Sequence, residues 1–83
     1  MIVIKNFAYH PSSLTVAPGT TITVKNEDSA THTLTATDPH NKVFNTGDIQ
    51  PGTSATFKAP STAGTYPYIC LIHQFMHGTL VVR

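Results

Sequence analysis

The sequence predicts an all-β fold, an antiparallel sandwich or barrel of about seven short strands. Three observations support this prediction. Threonine, valine and isoleucine alternate with other residues in short runs, as they do in half-buried strands. Glycine and proline separate these runs at regular spacing, and no segment has the pattern of an amphipathic helix.

The individual elements follow from the alternation and from the turn residues. Pro18-Gly19 and Pro51-Gly52 both fit type II turns, in which proline takes the second position and glycine supplies the positive φ of the third. The least regular stretch, Asp38 to Asp48, is predicted to be a long loop. Strands are predicted at residues 2–9, 14–16, 20–26, 31–37, 55–58, 65–70 and 79–83.

Length and composition limit the possible functions. The chain has 83 residues, which predicts a single domain over residues 1–83, expected to be a monomer. A net charge of +1 without a basic cluster argues against nucleic acid as a partner. No apolar run is long enough to span a membrane.

The first residues resemble a strand rather than a signal peptide. The sequence is therefore that of a mature domain from the periplasm or the extracellular space, or that of an intracellular protein. We take the first of these as the prediction.

Residues 70–76 contain the strongest chemical signal. Cys70, His73 and Met76 are spaced C-x-x-H-x-x-M, and they include the only cysteine and the only methionine after Met1. A thiolate, an imidazole and a thioether, joined by a second imidazole, form the trigonal His₂Cys set with a weak axial methionine that holds copper for electron transfer.

His32 is the best candidate for the second imidazole. It shares its parity in the run 31–37 with Leu34 and Ala36, so it is predicted to face the core while the threonines of the run face solvent. A buried imidazole needs a partner, either a metal ion or a backbone carbonyl. The downstream ligand set favours the metal.

These segments resemble the small blue copper proteins, the cupredoxins. The likeness covers most of the chain, including residues 26–37, 44–47 and 64–70, and the loop from Cys70 to Gly78 is most similar to that of the amicyanins. The resemblance implies a Greek-key β-sandwich that holds one copper ion at His32, Cys70, His73 and Met76. The leading prediction for the function is an electron carrier that docks with redox partner proteins and has no catalysis of its own, since no spare histidine pairs at ligand spacing are evident.

One departure from the family pattern concerns the residue after His32. Many cupredoxins have an asparagine there, which ties the two ligand loops together, and this chain has Thr33. The threonine hydroxyl could take over that link. Leu71, Ile72 and Phe75 are predicted to form an apolar collar around an exposed edge of His73 where a redox partner docks, although Phe75 could equally pack onto the end of the sandwich.

Several alternatives stay open at this point. His77 follows Met76 and could replace it as a ligand, whereas His10 and His40 are expected at the surface. A copper chaperone or storage domain, or a domain of a larger copper enzyme, is the main alternative function. A structural zinc site and a metal-free sandwich are the others.

Overall fold

A computed structural model describes residues 1–37 and 43–83 of the chain, and these residues form eight strands and no helix. The strands are β1 (Ile2–Lys5), β2 (Ala8–His10), β3 (Ser13–Val16), β4 (Thr21–Asn26), β5 (Thr35–Ala36), β6 (Ser54–Lys58), β7 (Gly64–Ile69) and β8 (His77–Val82).

The strands form two four-stranded sheets. One has the order β2-β1-β4-β6 and the other the order β3-β8-β7-β5. The prediction of an all-β sandwich is confirmed, with eight strands instead of about seven. The sheets are mixed rather than purely antiparallel, because β1 pairs with β4 and β3 pairs with β8 in parallel. In both parallel pairs, the segment of chain between the two paired strands contains at least one strand of the opposite sheet.

The core lies between the two sheets. The predicted alternation is realised in β4, where Ile22 and Val24 are buried, and in β8, where Leu80 and Val82 are buried. One cluster of buried side chains joins both sheets, and it includes Cys70 and Met76. Two of the four candidate ligands therefore belong to the core itself.

Two tyrosines contact each other in this core beneath the segment that carries His32. The rings of Tyr9 and Tyr68 meet edge to face at a centroid distance of 4.9 Å. The Tyr9 hydroxyl donates a hydrogen bond of 2.6 Å to the carbonyl of Thr33. Burial raises the pKa of both phenols, that of Tyr68 to about 12, so both stay neutral at ordinary pH.

The segment predicted as one strand over residues 2–9 is a hairpin of β1 and β2. Asn6 and Phe7 form its two-residue turn with φ values of 54° and 55°, and Lys5 pairs with Ala8. Two positive φ values are what a type I′ turn requires, and asparagine adopts them readily. A bulky residue such as Phe7 does so at a cost, so another contact must hold it there.

The predicted loop between Asp38 and Asp48 lies partly outside the described residues, which omit 38–42 and hence His40. The part that is described returns to the sandwich, because Phe44 and Ile49 are buried. Asn45 and Ile49 form isolated bridges with Thr35 and His32, respectively. His10 is exposed, as predicted.

Candidate metal centre

Two segments bring the predicted ligands to one end of the sandwich. His32 lies between β4 and β5, where its backbone exchanges hydrogen bonds of 3.2 and 2.7 Å with Ile49. Cys70 directly follows β7, and Met76 directly precedes β8. Because β7 and β8 are paired, the loop that joins them closes over the place where His32 emerges.

Three ligand atoms converge at this end. The Sγ of Cys70 lies 3.6 Å from Nδ1 of His32 and 3.9 Å from Nδ1 of His73, and the two Nδ1 atoms are 3.2 Å apart. Metal bonds of about 2.0 Å to nitrogen and 2.3 Å to sulfur would separate such atoms by about 3.3 to 3.7 Å. The three distances lie within or about 0.2 Å outside this range, so one metal ion fits between the three atoms after small side-chain shifts.

The three side chains differ in exposure and form a single donor set. His32 and Cys70 are fully buried, and His73 is partly exposed at the rim. Across residues 1–37 and 43–83, this is the one group of three histidine, cysteine or acidic side chains that is close enough to hold a metal ion. A thiolate and two imidazoles form a soft to borderline donor set that suits copper and also zinc.

Met76 closes the loop on the inner side. Its backbone oxygen accepts a hydrogen bond of 3.2 Å from Cys70, and its N–H donates one of 2.9 Å to His73. The side chain of Met76 is buried, whereas that of His77, the first residue of β8, is exposed. Of the two candidates for the fourth ligand, Met76 thus lies on the core side and His77 does not.

Thr33 joins the two ligand segments. Its hydroxyl accepts a hydrogen bond of 2.9 Å from the N–H of Leu71, and its own N–H donates to Sγ of Cys70 at 3.3 Å. The expected role of the hydroxyl is therefore realised. The prediction that the threonines of this run face solvent is wrong for Thr33 and Thr35, which are buried. The run pairs as a strand only at residues 35–36, so strict alternation does not apply to it.

Asp28 fixes the far side of His32. One oxygen of its carboxylate lies 2.8 Å from Nε2 of His32, which leaves Nδ1 to face Cys70. The same carboxylate accepts hydrogen bonds of 2.7 Å from the N–H of Asn6 and 2.9 Å from that of Phe7. Burial opposes the charged form, but the hydrogen bonds from Phe7, His32 and Asn6 outweigh it and hold the pKa of Asp28 below its usual value.

Phe7 lies against both imidazoles. Its ring meets those of His32 and His73 edge to face, at centroid distances of 5.3 and 5.2 Å. The sequence reasoning missed Phe7 and the role of Asp28. In the structure the burial pattern reflects the turn, because Ile2 and Ile4 share one parity and the buried Tyr9 has the other, which a continuous strand does not allow.

The three apolar residues of the predicted collar are exposed. Leu71, Ile72 and Phe75 are 43%, 49% and 68% exposed. Phe75 leans toward Phe7 and His73, with centroid distances of 6.2 Å to each. Phe75 is thus largely exposed while its ring contacts residues at the end of the sandwich. Among the described residues, no helix is long and apolar enough to cross a membrane.

Known proteins resemble this chain over nearly its whole length. The family model of the cupredoxin-like domain matches residues 1–82. The methylamine utilization protein MauL of Methylophilus methylotrophus is 28% identical over 83 residues, which are 99% of this chain and 48% of that protein. The chain thus spans about half the length of this curated relative.

Solved structures show the same architecture. A purple cupredoxin from Nitrosopumilus maritimus superimposes with a TM-score of 0.86 at 27% identity, over 99% of this chain and 97% of its own. A reduced, singly substituted amicyanin superimposes with a TM-score of 0.84 at 25% identity, over 99% of this chain and 79% of its own.

Proposed function

Since this chain belongs to the cupredoxin-like domain family, we propose that it binds one copper ion through His32, Cys70, His73 and Met76 and carries electrons by cycling that ion between Cu(I) and Cu(II). The family resemblance predicted from the sequence is confirmed by the family match and by the amicyanin and purple cupredoxin neighbours.

The observation that carries this proposal is the convergence of Sγ of Cys70 and Nδ1 of His32 and His73 within 4 Å of one another. Two imidazoles and a thiolate in a trigonal array, with a methionine beside them, are the ligands of an electron-transfer copper site. Bound copper would supply a one-electron couple. Two methionines in the whole chain, one of them Met1, give little support to a chaperone that offers several thioethers.

The role of the protein is to keep the ligands in place while the charge of the ion changes. His32 is held by Ile49 and Asp28, and Cys70 by the N–H of Thr33. Since these contacts do not depend on the ion, the site needs little rearrangement between the two oxidation states, which favours fast electron transfer.

We also propose that residues 1–83 act as one monomeric carrier without catalysis, in the periplasm or outside the cell. The partial match to a longer relative supports a second candidate, in which this domain is one part of a larger copper protein. Both candidates use the same metal site. In the first the redox partner is another protein, and in the second it is another part of the same chain.

The visible absorption spectrum tests the copper site. One equivalent of Cu(II) should give an intense thiolate-to-copper charge-transfer band, which ascorbate bleaches and reoxidation restores. A weak d–d band alone would mean that Cys70 does not bind Cu(II), and the proposal would give way to a zinc or storage site.

The collar of Leu71, Ile72 and Phe75 is the proposed docking surface for redox partners. Electron self-exchange between the Cu(I) and Cu(II) forms of the protein itself probes this surface, because His73 is the ligand that lies at the rim. Ile72→Asp should slow self-exchange by about tenfold or more, since a carboxylate must lose water on docking, at a cost of about 1.4 kcal/mol or more.

The matched control is Ser61→Asp, which adds the same charge to an exposed residue before β7, at the opposite end of that strand from Cys70. NMR line broadening in mixtures of the two oxidation states measures the rate. Equal slowing by both variants would mean that net charge, and not the collar, controls the encounter.

A further inference from the structure

The Asp28 carboxylate contacts both the metal site and the β1–β2 turn. Its Oδ2 atom lies 2.8 Å from Nε2 of His32 and also accepts the N–H of Phe7, while its Oδ1 atom accepts the N–H of Asn6. The side chain is 10% exposed, so these three contacts replace most of its water. Asp28 is thus bound by groups that lie 21 and 22 residues away and by His32.

The turn it binds is a costly one. Phe7 has a φ of 55°, which a bulky side chain rarely adopts and which costs on the order of 1 kcal/mol or more. A backbone conformation of this kind persists only where the surroundings hold it. Here the two hydrogen bonds from Asn6 and Phe7 to Asp28 do so, and the result is that the Phe7 ring lies against both imidazoles.

We propose that Asp28 and Phe7 act as one positioning unit for the metal centre. Asp28 keeps the proton of His32 on Nε2, so that the lone pair of Nδ1 points to the ion, and it anchors the turn that places Phe7 as a cover over His32 and His73. The ligand positions come from the proposed function, while the contacts of the unit stand without a metal.

Asparagine at position 28 cannot reproduce these contacts. It has one oxygen where the carboxylate uses two, so its NH₂ group must face the N–H of Asn6 or the N–H groups of Phe7 and His32. Loss of such an outer contact to a metal-binding histidine costs about 10- to 100-fold in metal affinity. We therefore expect Asp28→Asn to bind Zn(II), used as a redox-silent probe, at least tenfold more weakly.

The control is Asp48→Asn, the same substitution at an exposed aspartate outside the site. It should keep the Zn(II) affinity of the parent. Nitrogen-15 NMR of the metal-free protein at about pH 8, where free histidine is neutral, reports the tautomer directly. His32 should carry its proton on Nε2 in the parent and in Asp48→Asn, and should become a mixture of tautomers in Asp28→Asn.

Phe7→Asn tests the cover separately. Asparagine tolerates a positive φ, so the unfolding free energy should not fall, whereas the ring over the imidazoles is lost. Zn(II) should then pass to excess EDTA about tenfold faster, because the apolar shell of a site controls access to it. The control is Val43→Asn, which removes an exposed apolar side chain outside the converging group and should leave the release rate within about twofold of the parent.

Three results would overturn the proposal. These are parental Zn(II) affinity and tautomer in Asp28→Asn, equal weakening by Asp48→Asn, and a parental release rate in Phe7→Asn. If Asp28→Asn lowered only the thermal stability, Asp28 would be a turn residue and nothing more. A failed copper spectrum with these Zn(II) effects intact would refute the copper function and leave the positioning unit standing.

Discussion

Cys70→Ser is expected to abolish the intense visible band of the copper-loaded protein without unfolding the domain. The band requires a thiolate bound to Cu(II), and serine offers only an alcohol that stays protonated near neutral pH. The fold should survive, because serine is nearly isosteric and its oxygen can accept the hydrogen bond that the N–H of Thr33 gives to Sγ. We expect the unfolding free energy of the metal-free protein to change by about 1 to 2 kcal/mol.

Absorption after addition of one equivalent of Cu(II), together with urea unfolding of the metal-free protein, measures both effects. His77→Ala is the control for the loop, since His77 is exposed and outside the converging group. It should keep the band. A band that persists in Cys70→Ser, or that is lost in His77→Ala with the fold intact, would contradict the proposed ligand set.

The site could be predicted in large part from local spacing. Cys70, His73 and Met76 lie on one short loop, so their proximity follows from the sequence alone. His32 required the additional step of assigning a parity; its predicted burial is confirmed together with that of Leu34 and Ala36, although the opposite parity is buried as well. The burial of Thr33 and Thr35 was not predictable in the same way, because it depends on chain segments that pack over the second face.

The contacts of Asp28 and Phe7 depend on long-range structure. Asp28 binds a turn 21 to 22 residues earlier in the chain, and no local pattern indicates that pairing. The turn itself was missed because phenylalanine is not a turn former, and a run with an apolar residue at nearly every second position reads as one strand. Strained and functional positions are where such local rules fail.

Gly78→Ala is expected to destabilise the domain far more than the same substitution at Gly64. Gly78 pairs directly with Tyr68 across β7 and β8, and a Cβ on Gly78 would lie 2.6 Å from the Tyr68 ring. The ring is fully buried and is held by Tyr9 and Phe44, so it cannot move away cheaply. Overpacking of this kind costs about 3 kcal/mol, which lowers the Tm of a domain of this size by about 12 °C or more.

Gly64→Ala is the matched control on the neighbouring strand. Its Cβ would meet the Tyr66 ring at 3.5 Å, an ordinary contact, so we expect a change within about 0.5 kcal/mol. Urea unfolding of both variants decides between the two environments. Similar small effects would mean that the Tyr68 ring has room to move.

A second variant separates the clash from other effects of the added methyl group. In a Tyr68→Leu background the ring is absent, so Gly78→Ala should cost much less than in the parent, giving a coupling energy of about 2 kcal/mol between the two positions. Gly78 lies two residues after Met76, and Tyr68 two residues before Cys70. Separation of β7 and β8 to relieve the clash would therefore also move the two ends of the ligand loop apart. We expect the copper band of Gly78→Ala to weaken or shift, and that of Gly64→Ala to stay unchanged.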